Sequence, residues 1–367
     1  MAKLTWRIRN QTQGYLDITQ YVRSITFTIG RPNAVSPFTG GTFSFTMTND
    51  NGQVQYANVQ DEIEIDVKGT GIFYNLLEGF VTQRQYQDGQ GEGLNSTVTI
   101  SGVDQIALFG PIDNIFITEF SVKDLLTEYS TAVPFAFVGG VTDLDMDSTT
   151  FETNGLQAIN NVIAPDGGVI SRVLYHPPSE FPAQTQTNFT FDNTISATKI
   201  GYQTLERVEG SANGTFFTAS TVTNQNTGAT TLGSALVAFY YGQRYVTITS
   251  AETASGSTAE WYANAFSKPD DVTLFMSFTD VAQNVAALDL AVVNLLFGQY
   301  WTSVSFTPPG GVAQTGYFWP EQISVTATPE KTSFDLIMSP LSYYGRFILN
   351  DAVFGVLDVD RLGVAQV

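Results

Sequence analysis

The chain has 367 residues, enough for two or more domains of ordinary size, each with its own core. Apolar residues make up 43% and charged residues only 14%, a balance that suits half-buried strands and tight turns and excludes disorder and coiled coil. With 16 Lys and Arg against 35 Asp and Glu, the formal net charge is -19, which opposes stable binding to phosphate backbones but leaves nucleic acid free to slide past. The absence of Cys removes disulfide frameworks, thiolate metal sites and cysteine nucleophiles together.

The opening Met-Ala-Lys-Leu-Thr-Trp-Arg-Ile-Arg lacks an apolar run long enough for a signal peptide, and no later segment reaches transmembrane length, so neither is expected. From Ile25 to Val103 the pattern alternates with period two. Phe43, Phe45 and Met47 alternate with Thr42, Ser44, Thr46 and Thr48, while Ile63, Ile65 and Val67 alternate with Glu62, Glu64 and Asp66. Each run predicts a strand with one face buried. Gly79 to Tyr86 and Ser96 to Ser101 predict a hairpin whose tip holds Gly89, Gly91 and Gly93. Residues 1–110 are therefore expected to form a first antiparallel β unit.

Helical signals follow. Ser121 is an N-cap with Asp124 three residues on, and Val122, Leu125, Leu126 and Tyr129 share one face. A second short helix follows Thr153, with Leu156, Ile159, Val162 and Ile163 apolar, and Pro165-Asp166-Gly167-Gly168 stops it before the strand-like Val169 to Tyr175. Residues 111–176 thus read as an α+β middle domain. Residues 177–270 read as irregular and β-rich, with a third helix over Ser257 to Phe266. Strand signals return at Val272 to Phe278, and 271–345 is expected to form a second β unit, followed by an arm over 346–367.

A weak internal repeat links the two ends. Glu78 to Thr82, a turn, and Ser96 to Ser101 match in pattern Glu321 to Val325, the turn Thr328-Pro329-Glu330-Lys331, and Ser333 to Ser339. The fold class expected is mainly β with α+β insertions, two antiparallel barrels of one type joined by a mixed middle region.

Several segments, in order, resemble the tail-tip hub proteins, or minor tail proteins, of siphophages. They are Asp17 to Ser24, Gly30-Arg31-Pro32, Gly40 to Asn49, Glu78 to Val81, and Val98 to Asp104, then Gly298 to Pro308, Ile323 to Pro340, and the final Phe347 to Gly363. The resemblance implies two tube-like barrels per subunit, so that a homotrimer presents six and adapts a sixfold tube to a threefold tip in the virion. It further implies a distal tail protein ring, a tape-measure protein and a tail fibre or spike as neighbours, with DNA passing through unbound. Candidate assembly residues are then Tyr343 and Tyr344 at the end of the second β unit and Arg346, Phe347, Phe354 and Leu357 in the terminal arm.

Catalytic readings fare poorly against the composition. Zinc endopeptidases need several His or Cys ligands, whereas the chain has one His, His176, followed by Pro177-Pro178, and no Gly-x-Ser-x-Gly elbow occurs. A glycosidase needs only two spaced carboxylates, but no acidic pair stands out in an aromatic-lined context. Asp143, Asp145 and Asp147 resemble the start of a calcium loop, yet Ser148 replaces the turn glycine and Asn154 the bidentate Glu. No cofactor, no metal and no enzymatic activity are expected. The alternative is a carbohydrate-binding receptor-recognition protein, in which aromatics from Phe239-Tyr240-Tyr241, Tyr317-Phe318-Trp319 or Tyr343-Tyr344 stack on sugars.

Overall fold

A computed structural model of the chain describes residues 4–34, 36–50, 52–87, 96–109, 189–209, 218–224, 228–234, 245–250, 272–297, 302–306 and 314–340, with residue 263 and short pieces between 115 and 176. The first end of the chain lays down β1 (Thr5–Asn10), β2 (Leu16–Asp17), β3 (Val22–Gly30), β4 (Thr42–Thr48), β5 (Glu62–Lys68), β6 (Tyr74–Gln87) and β7 (Thr97–Asp104). Short strands follow as β8 (Ile115–Ile117), β9 (Ala136–Phe137), β10 (Thr149–Phe151), β11 (Val169–Ser171) and β12 (Leu174–His176). Next come β13 (Thr190–Asp192), β14 (Lys199–Gly201), β15 (Thr204–Glu209), β16 (Ala219–Asn224), β17 (Thr230–Ser234), β18 (Tyr245–Ser250) and β19 (Val272–Thr279). Helix α1 (Val285–Phe297) leads to β20 (Thr302–Phe306), β21 (Gln314–Ala327) and β22 (Thr332–Pro340).

The β-rich expectation holds, and the strands from both ends build one 14-stranded sheet. Its path runs β14, β13, β20, β21, β3, β4, β7, β6, β5, β1, β2, with β22 also on β21, β19 on β22, and β15 on β19. Two closed barrels are not what the described residues form: no ladder brings β1 or β2 back to β3, and β21 joins β3 instead. Strands β13 and β14, from the stretch expected to be irregular, extend this sheet through β20. One buried core runs beneath it, from Leu4, Trp6 and Ile8 to Phe334, Leu336 and Met338. Within that core Phe278 stacks on Phe334 with centroids 4.6 Å apart, and Trp6 meets Phe27 edge-on at 5.9 Å.

The period-two reading of β4 is correct, since Phe43, Phe45 and Met47 are buried and the intervening hydroxyl residues are not. Strand β5 departs from it. Glu64 and Asp66 are buried as well as Ile63, Ile65 and Val67, because β1 sets Arg9 opposite Glu64 and Arg7 opposite Asp66. Arg7 donates to Asp66 at 2.7 Å and Arg9 to Glu64 at 2.6 Å, and the Arg7 guanidinium lies over the Phe73 ring at 4.0 Å. Paired charge thus covers a face that alternation assigns to solvent.

Helix α1 has no counterpart in the sequence expectations. Its run Val-Ala-Ala-Leu-Asp-Leu-Ala-Val-Val-Asn-Leu-Leu-Phe is apolar nearly all round, so no 3.6-residue stripe marks it. Ala287, Leu288, Ala291, Val292 and Leu295 are buried, and Asn284 accepts from the Ala286 N–H at 3.0 Å as the cap. Of the expected helices, Leu156, Gln157 and Asn160 of the second and Ala263 of the third are helical; the first, at Ser121 to Tyr129, lies outside the described residues.

The Asp66 carboxyl is pushed up from its ordinary 3.8 to about 6, by burial first and then by the hydrogen bond it shares with Glu64, which together outweigh Arg7. The folded chain therefore holds this proton more tightly than the unfolded one, and stability falls as pH rises from about 4 to about 6. Asp66→Asn removes that slope. The stability of the variant relative to the parent should rise across this window, by no more than about 3 kcal/mol, as read from urea melts at several pH values. Parallel pH profiles would contradict the assignment.

Candidate assembly interface

The junction of β3 with β21 is where the two ends of the chain become one sheet. Gln322 to Ala327 run antiparallel to Ile25 to Gly30, placing Val325 opposite Phe27 and Ser324 opposite Thr28. At the end of this ladder Gly30 takes φ +94, and a Cβ built there would lie 1.9 Å from the Glu321 carbonyl oxygen. Only glycine fits that approach. The next residue, Arg31, donates its N–H to the Glu321 carbonyl at 2.8 Å and its Nε to the Glu321 carboxylate at 2.8 Å. Both side chains of this ion pair are buried, and Phe38 stacks on the guanidinium at 4.3 Å. Asn160 in turn fixes the Phe38 backbone, accepting its N–H at 2.7 Å and donating to its carbonyl at 2.9 Å.

Further side chains latch segments distant in sequence. Asp280 accepts the Leu4 N–H at 3.0 Å and the Thr332 N–H at 2.8 Å, while Trp6 Nε1 donates to the Thr332 hydroxyl at 2.8 Å. Asp289 on α1 accepts the Gly69 N–H at 2.9 Å and the Thr70 hydroxyl at 2.5 Å, where a side chain at residue 69 would collide with its carboxylate. Gln283 exchanges two hydrogen bonds with the Gly201 backbone, at 2.9 and 2.7 Å. Each places a carboxylate or amide against backbone groups that burial would otherwise leave unpaired.

The face of the sheet opposite the core is tiled with hydroxyls. Across the strands, Thr204, Ser277, Asp335, Ser324, Thr28 and Thr42 form one row, and Ser333, Thr326, Thr26, Ser44, Ser101 and Gln83 the next. Thr28 and Ser324 share a hydrogen bond of 3.0 Å across the junction itself, and Thr204 and Ser277 one of 2.6 Å. Both rows lack Lys and Arg.

The sequence-predicted candidates distribute unevenly around this seam. Tyr343, Tyr344, Arg346, Phe347, Phe354 and Leu357, the run Asp143, Asp145 and Asp147, the hairpin glycines and Phe239-Tyr240-Tyr241 lie outside the described residues. His176 pairs with Val169 in a short strand ladder. In the Tyr317-Phe318-Trp319 cluster, Trp319 is 2% exposed and Phe318 is buried, so neither is presented to a sugar; only Tyr317 is exposed. No set of three or more His, Asp or Glu among the described residues could hold a metal ion. Sequence reading missed Glu321 and Asp280 as anchors, because a lone acid beside apolar residues looks like any surface carboxylate until its partner, 290 positions away for Arg31, is known.

No protein-family model and no curated protein matches the sequence. Solved structures match by fold. A tail protein from Neisseria meningitidis superposes with a TM-score of 0.61 at 10% identity, over 93% of this chain and 98% of that one. The 43 kDa tail protein of prophage MuSo2 from Shewanella oneidensis gives 0.60 at 9% identity, over 92% and 97%. The chain has the fold of phage tail proteins. A third neighbour with this tail-protein fold, an Escherichia coli type VI secretion component described as similar to bacteriophage T4 tail proteins gp27 and gp5, gives 0.52 at 7% identity, over 88% and 74%. None of these is described as an enzyme.

Truncating Glu321→Ala leaves the buried Arg31 without its carboxylate and should cost about 3–5 kcal/mol, measured by urea denaturation. Replacing both by apolar residues, Arg31→Met with Glu321→Leu, should cost less than the single truncation. Gly30→Ala should destabilise more than Gly14→Ala, since Gly14 also has positive φ, +74, but open space around its Cβ position. Equal losses at the two glycines would mean that the close approach of β21 is not what constrains Gly30.

Proposed function

We propose that this chain is the structural, non-enzymatic hub of a phage tail tip, a homotrimer that closes the tail tube and adapts its sixfold symmetry to a threefold tip. The observation that carries this reading is a duplicated strand order. In the first half the neighbours run β3, β4, β7, β6, β5, β1; in the second they run β15, β19, β22, β21, β20, β13. Every adjacent pair is antiparallel in both sets except the last of the second, where β13 is parallel to β20. Two equivalent units in one chain supply six in a trimer, and closed rings are the common outcome of such repetition. The tail-protein fold supports the same conclusion.

The hydroxyl-tiled face is suited to the wall of the tube. Threonine and serine hold water without attracting phosphate, so DNA passes without the counterion release that makes binding strong. A distal tail protein ring, the tape-measure protein and a fibre or spike are the neighbours such a hub meets in the virion. Tyr343 and Tyr344 just before the terminal arm, and Arg346, Phe347, Phe354 and Leu357 within it, supply aromatic, cationic and apolar anchors for one of them.

Native mass spectrometry of the purified chain tests the reading. A species of three 40.0 kDa chains, about 120 kDa, is expected. A monomer that persists at every concentration, together with absence of the protein from purified virions, would overturn it.

A further inference from the structure

The duplicated strand order identifies the edge at which one copy meets the next. In the second unit, Gln322 to Ala327 of β21 are paired on both sides, with β22 on one edge and β3 on the other. The counterpart of β21 is β6. Both strands carry a register shift against their hairpin partner, between Val81 and Gln83 in β6 and between Pro320 and Gln322 in β21. Aligned on that shift, Gln83 corresponds to Gln322, Arg84 to Ile323, Gln85 to Ser324 and Tyr86 to Val325.

Beyond Val81, however, β6 pairs only with β7 among the described residues. Tyr86 is 56% exposed where Val325 is 1% exposed, and Arg84 Nε is buried with no hydrogen-bond partner there. An unpaired edge carrying an exposed aromatic is the kind of surface that proteins cover. At the opposite end, β15 is the counterpart of β3 and, among the described residues, pairs with β19 alone. Register through the intervening strands sets Leu205 against Ile25, Arg207 against Phe27 and Glu209 against Ile29. Continuing that alignment sets Gly210 against Gly30 in the sequence.

We propose that β6 of one copy pairs antiparallel with β15 of the next, repeating between chains the junction that β21 and β3 make within each chain. Carrying the observed register across places Arg84 opposite Glu209, Gln85 opposite Val208 and Tyr86 opposite Arg207. The first is a pair of opposite charges and the last a cation over an aromatic ring, both favourable cross-strand neighbours. The two edges differ, so the contact is head to tail and closes a ring rather than a twofold dimer. This rests on the hub reading, and it names the partner surface as a second copy of the same chain.

Because the chain has no Cys, a Gln85→Cys, Val208→Cys double variant can form disulfides only at the introduced positions. Mild oxidation of the full-length variant should give a covalent trimer on a non-reducing gel, and neither single variant should. Independently, Arg84→Glu should weaken self-association at least tenfold by setting two acids opposite each other, and adding Glu209→Arg should restore it. A trimer by mass that neither cross-links nor responds to Arg84→Glu would overturn this junction while leaving the hub reading intact. A parent chain that stays monomeric would overturn both.

Discussion

The antiparallel pairing of β3 with β21 is the constraint on which the rest of the molecule depends, because it turns the two ends of the chain into one sheet with one core. Its backbone ladder requires a glycine at residue 30, since the Glu321 carbonyl occupies the space of a side chain. Where the ladder ends, burial of Arg31 and Glu321 is tolerable only because each neutralises the other, and Phe38 and Asn160 complete the enclosure. Once the junction forms, Phe27 and Val325 share a single apolar layer, and Leu4 and Trp6 can reach Asp280 and Thr332. Contacts so distant in sequence carry a large loop-closure cost, so folding of this chain is governed by nonlocal pairing rather than by its one long described helix.

The acidic balance of the chain has a different meaning in the folded protein from the one its net charge suggests. Glu64, Asp66, Asp280 and Glu321 are buried, and Asp289 is engaged by the loop at Gly69 and Thr70. These carboxylates fasten strands, helix and loop to one another. Opposite the core, β3, β4, β7, β19, β21 and β22 present mostly neutral hydroxyl, broken by Phe275, Asp335 and Ile337, while β1 and β5 present the Arg7–Asp66 and Arg9–Glu64 pairs. On the hub reading proposed above, such a face avoids adhesion because Arg7 and Arg9 are already paired with carboxylates.

Much of the fold was legible in the amino-acid pattern, and the failures have physical causes. Strands β3, β4 and β7 announce themselves because Ile25, Phe27, Phe43, Phe45, Val98 and Ile100 alternate with Ser and Thr. The hairpin signals at Glu78 to Ser101 and Glu321 to Ser339 correspond to the antiparallel pairs β6–β7 and β21–β22, although aligning the two on their register shifts sets Gln83, not Gly79, against Gln322. Alternation failed at Glu64 and Asp66, where cross-strand arginines allow a second buried face. Helix α1 escaped because uniform apolarity carries no period. The seam itself could not be read, since nothing local distinguishes Glu321 from the other acids, and the match of Gly30 to Glu321 exists only in three dimensions. Trp319 was misleading for the reverse reason: an aromatic run reads equally as a sugar platform or as core, and packing decides for core.

A density map of the oligomer, resolved well enough to separate strands, tests the central claim most directly. The account predicts six equivalent sheet units from three copies around a hollow axis, with Thr26, Thr28, Ser44, Ser324 and Thr326 turned toward the lumen. A map in which that hydroxyl face is packed against protein, or in which the copies do not enclose a channel, would contradict it.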